Sequence, residues 1–161
     1  MTILAATTAG ESKSNVWMTA LYAGLATAII AIITCLTFEW EMPFLYIPAY
    51  LLIGIGPVLG YQFTAGNLGD WKSLLGGFLG QIIPVFGWPI LVGLFSKEQS
   101  VGKLILASLL GSVIAISVFF IMQTVLGLNP YIIGTSFIVG AACWGGTVGA
   151  AMDGWKKADV A

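Results

Sequence analysis

The chain has 161 residues, of which 58% are hydrophobic and 8% charged, with a net charge of -1. A soluble domain carries roughly 25% charged residues, so a water-soluble fold is excluded. All six basic residues are lysines, at 13, 72, 97, 103, 156 and 157, and none lies within an apolar run, which leaves no basic surface to hold nucleic acid.

Residues 1–16 are small and polar, and no structure is predicted for them. They lead into 17–38, the first of five runs without a charged residue; the others are 44–63, 73–95, 104–127 and 131–152. About 20 apolar residues suffice for a helix to cross the hydrocarbon core of a bilayer, and a helix satisfies its own backbone where no water can. The expected fold is therefore all-α: a polytopic integral membrane bundle of about five transmembrane helices. A single membrane domain over 17–152 is flanked by the N-terminal tail and a short polar tail at 153–161. The first run is longer than the 7 to 15 apolar residues of a secretory signal and reads as a retained span.

Tryptophans mark the depth of these runs. Trp17 and Trp40 bracket the first, Trp71 precedes the third and Trp155 follows the fifth, as expected of indoles that favour the headgroup level. Glu39 and Glu41 flank Trp40 in the turn after the first run, and a solvated turn is their expected role. Pro57 falls inside the second run, where it frees a carbonyl and bends the helix. Asp70, just before the third run, is placed to cap that helix.

The third run is interrupted by Pro84 and Pro89. It reads either as one helix kinked or broken at these prolines or as two shorter pieces that enter and leave on the same side. Broken helices build binding sites in transporters, although membrane helices also tolerate proline for purely structural reasons. If all five runs cross, the termini lie on opposite faces. The face with Lys97, Lys103, Lys156 and Lys157 is then the cytoplasmic one, so that the N-terminus is outside and the C-terminus inside.

Small residues recur four apart in every run. Gly76 and Gly80 in the third, Gly111 between Ala107 and Ala115 in the fourth, and Gly145 and Gly149 in the fifth are the expected sites of close helix packing. The fifth run has a second ladder, Ala142, Gly146 and Ala150, on an adjoining face. Two ladders suggest packing on two sides, either within the chain or against another copy or a different membrane subunit.

The remaining intramembrane chemistry is uncharged. With five crossings Gln62, Gln81, Gln123, Asn129, Thr135 and Ser136 fall in one half of the membrane, where amides and hydroxyls can replace the water contacts of a small solute or weakly hydrated ion. The same groups can serve as hydrogen bonds between helices. There is no histidine, the cysteines Cys35 and Cys143 both lie in apolar runs, and no metal-ligand spacing occurs, so no cofactor or metal is expected. Ser108, Ser112 and Ser117 have no base beside them in sequence, which disfavours an enzyme.

Gly69-Asp70-Trp71-Lys72 is echoed by Asp153-Gly154-Trp155-Lys156. In a five-span chain this would relate runs one and two to runs four and five as an inverted repeat, while interface chemistry alone accounts for the match. The Gly-rich runs with these ends resemble small bacterial inner-membrane proteins, and the resemblance implies an inner-membrane location without a function. The leading expectation is a passive channel or facilitator for a small solute or ion, working as a homo-oligomer in the bilayer. The alternative is a non-catalytic accessory subunit packed within a larger membrane complex.

Overall fold

The computed structural model describes residues 15–39, 43–83, 85–96 and 98–155. The expectations for the two tails, Trp40, Glu41, Pro84, Lys97 and the Glu39 side chain fall outside what is described. Among the described residues helices are the only regular secondary structure: α1 (Val16–Glu39), α2 (Pro43–Leu52), α3 (Gly56–Ala65), α4 (Trp71–Gly80), α5 (Gly87–Phe95), α6 (Val101–Leu126) and α7 (Pro130–Gly154). A short 3-10 turn, Ile53–Ile55, joins α2 to α3, making a single rod of the second apolar run.

Four helical segments are long and apolar enough to cross a membrane: α1, the α2–α3 rod, α6 and α7. The third run differs. Its two helices have ten and nine residues, or about 15 Å and 13 Å at the usual rise, roughly half the thickness of a bilayer core. They lie antiparallel and in contact: a Cβ at Gly76 would meet the Leu91 carbonyl oxygen at 2.9 Å and the Phe95 ring at 2.9 Å, and one at Gly80 would overlap Trp88. The chain thus goes in along α4, turns at 81–86 and returns along α5. Pro89 sits in the first turn of α5, where a missing N–H leaves no carbonyl unpaired, so it helps to start a helix rather than bend one.

This reversal places the ends of the bundle. Thr19 at the start of α1 bonds Thr64 at the end of α3 at 2.7 Å and donates to Asp153 at the end of α7 at 3.2 Å. Gln99, just before α6, donates to the Met152 carbonyl at 3.0 Å. We call this the near end; α1 and α6 finish, and α2 and α7 begin, at the far end. The beginning of α1 and the end of α7 therefore lie side by side, not at opposite ends as five crossings would require. The two helix pairs run in the same direction, so any repeat relating them is parallel, not inverted.

Glycine contacts hold the long helices together. On α1, Ala23 and Thr27 meet Gly60 and Gly56 of α3 on one side and Gly149 and Gly145 of α7 on the other, with no room for a Cβ at any of the four. The second ladder of α7 packs on α1 as well, since a Cβ at Gly146 would stand 3.1 Å from the Ala20 carbonyl oxygen and one at Gly24 would stand 3.1 Å from that of Ala142. On its opposite flank α7 packs against α6 through Gly140 on Ala115 and Trp144 on Gly111. Both ladders are occupied within the chain. Gly66 and Gly127 end α3 and α6 at φ of 69° and 89°, a left-handed backbone that only glycine adopts without strain.

Between these walls the near half is filled by Val58, Trp88, Val92, Leu104, Val148 and Met152. The outer surfaces carry large exposed apolar side chains, among them Ile29, Leu106, Val113 and Ile121. Trp17, Trp71 and Trp155 are at the near end, each at least a third exposed.

Candidate functional site

The site is built where the hairpin meets the second rod. Pro57 has no N–H for the carbonyl four residues back, and the Gly56 N–H bonds Ile53 instead in the 3-10 turn. Beside that turn the Gly54 and Gly77 backbones approach so closely that neither admits a Cβ. The Trp88 indole then donates to the Gly54 carbonyl at 2.6 Å. Trp88 is fully buried and stands edge-on to Trp144, ring centroids 5.5 Å apart, which pins the tip of the hairpin at mid-bundle.

Beyond the tip, toward the far end, lies a cavity of about 500 Å³ between α2, the hairpin tip, α6 and α7. Its wall is mostly apolar, with Ile53, Val85, Phe119, Phe137 and Trp144 among the lining residues. Gln81, Ser112 and Ser136 supply polar atoms. Gln81 is the C-cap of α4 and only 4% exposed, and its Oε1 has no hydrogen-bond partner. The fully buried Ser136 hydroxyl donates to the Ile132 carbonyl at 2.6 Å, so its proton is engaged within α7. Gln81 Oε1 and the Ser136 oxygen are thus acceptors with spare lone pairs, both buried in the cavity wall. Toward the near end the cavity is closed by Trp88, Trp144 and the packed side chains behind them.

The other polar residues singled out by sequence do not gather here. Gln62 is buried at the near end, where its amide donates to the Asp70 carbonyl at 2.8 Å. Gln123 is near the far end of α6, its Nε2 without a partner, and does not line the cavity. Asn129 is exposed and caps α7 by accepting from the Ile132 N–H at 3.0 Å, while exposed Thr135 donates to the Tyr131 carbonyl of its own helix at 2.8 Å. Gln62 and Asn129 thus lie at opposite ends, because the third run turns back on itself. Of the glycines, Gly76 and Gly80 lie between α4 and α5, Gly111 meets Trp144, and Gly145 and Gly149 face α1.

Sequence reasoning did not single out Trp88 and Trp144. Their signal was position: tryptophan belongs at the membrane interface, and these two fall well inside apolar runs, where an indole N–H needs a buried acceptor. Asp70 caps α4 as expected, with Oδ1 accepting from the Ser73 N–H at 3.2 Å.

No protein-family model matches the chain, and neither a curated protein nor a solved structure is detectably similar to it.

Proposed function

We propose that this is a polytopic membrane protein with four crossings and a re-entrant hairpin that enters from the near end to about mid-depth. It passively admits a small neutral molecule into the far-end cavity and passes it across when the hairpin shifts. The observation that carries this reading is the buried, unpartnered Gln81 Oε1 at the tip of a broken helix, beside a 500 Å³ apolar cavity. An orphaned acceptor in such surroundings is costly, and natural structures keep few of them without a reason. Since Gln81 and Ser136 offer acceptors, the molecule that suits the site has an apolar body and an O–H or N–H donor.

The ladders on α7, which pointed equally to an accessory subunit, are used inside the chain and no longer argue for a partner. All six lysines lie in sequence segments that adjoin the near end, and Glu39 and Glu41 are the charges of the segment at the far end. By the positive-inside rule the near end faces the cytoplasm, with both tails inside.

Proteoliposomes test the reading by osmotic swelling in glycerol, urea and short-chain alcohols. Flux above that of empty vesicles is expected for at least one donor-bearing solute, and Gln81→Leu should reduce it at least tenfold without altering the helical content. Wild-type flux no greater than that of empty vesicles would overturn it.

A further inference from the structure

A second, smaller and more enclosed space, of about 10 Å³, lies at the near end at the foot of the hairpin. That is room for about one water molecule or one bare ion. Gln62, Asn67, Asp70, Ser73, Ser96 and Glu98 supply polar groups to its wall. Gln62 is 2% exposed, and its Nε2 donates to the Asp70 carbonyl at 2.8 Å. A carbonyl can only accept, so the orientation of this amide is settled and Oε1 remains in the wall without a partner.

The donors of two neighbouring residues are already engaged. The Tyr61 hydroxyl donates to the Glu98 carboxylate, and both the N–H and the hydroxyl of Ser73 donate to Asp70. An unpartnered amide oxygen, two carboxylates and hydroxyl oxygens therefore surround a space that fits one ion. Carboxylate, amide and hydroxyl oxygens suit alkali and alkaline-earth ions rather than transition metals, and the Met152 thioether, which also lines the space, is a poor ligand for such hard ions.

We propose that this space binds one small hard cation of the Na⁺, Mg²⁺ or Ca²⁺ class. The ion ties the loop before α4 to the end of α3 and to the segment between α5 and α6, and so anchors the foot of the hairpin. The proposal is independent of solute passage, because its test reads stability.

Thermal unfolding of the full chain in detergent is followed in choline chloride and in NaCl, MgCl₂ and CaCl₂ at equal ionic strength. One of the metal ions should raise Tm by about 5 °C at saturation, with a hyperbolic dependence on its concentration. Gln62→Met and Asp70→Asn should each fold and lose that shift; the asparagine retains the helix cap and removes only the charge. Identical Tm values in all four salts, or a shift that survives in both variants, would overturn the proposal and leave a water molecule as the occupant.

Discussion

Several buried or half-buried hydroxyls among the described residues bond backwards along their own helix and not to a neighbour. Thr27 donates to Ala23, Thr34 to Ile30, Ser136 to Ile132 and Thr147 to Cys143. A hydroxyl satisfied in this way can sit in an apolar wall at little cost. Glutamine cannot reach its own helix so readily, which is why unpartnered amide atoms occur at Gln62, Gln81 and Gln123. Replacing Gln81 by leucine removes a desolvated acceptor and should raise unfolding stability by about 1 kcal/mol, in the opposite direction to its effect on flux. A merely structural glutamine would lose stability and flux together, and chemical unfolding of the two proteins in the same detergent separates the cases. Asn129→Ala should behave inversely: loss of the α7 cap costs about 1 kcal/mol and leaves flux unchanged.

At the scale of the elements, the hairpin depends on a few close contacts. Two helices this short are marginal on their own and are held by tertiary packing. Gly77 on Gly54, Gly80 on Trp88 and the Trp88 indole on the Gly54 carbonyl provide it. The outward tip carries Ile82, Ile83 and Phe86, all more than half exposed, an arrangement suited to lipid rather than water. Trp88→Phe keeps a ring against Trp144 and deletes the indole hydrogen bond. Amide exchange in α4 and α5 should then accelerate about tenfold while α1 and α7 remain protected. Unchanged exchange in the hairpin would mean that this bond does not hold it. The proline signals of the third run were legible as an interruption, yet whether a broken segment crosses or returns depends on which surface receives it, and that surface is the 3-10 turn of the second rod.

For the molecule as a whole, the reversal of one segment decides which end every later residue occupies. With Cys35 and Cys143 replaced by alanine, Leu68→Cys and Lys156→Cys should react with an impermeant thiol reagent from one side of the membrane, and Leu128→Cys from the other. Five crossings would instead put Leu68 and Leu128 together, so the labelling pattern discriminates between the two arrangements. By itself the sequence determined the helical class, the long apolar segments and the close-packing glycines, because hydropathy and small-residue spacing act locally along a chain. The Asp70 cap was legible for the same reason. What only the tertiary structure decided is that 73–95 contains a turned-back pair of short helices, that both ladders of α7 face α1, and that Gln81 and Ser136 share a cavity from which Gln62, Gln123, Asn129 and Thr135 are absent. These depend on contacts between residues distant in sequence, such as Gly54 with Gly77 and Thr19 with Asp153. No periodicity within a single run records which other run it will meet.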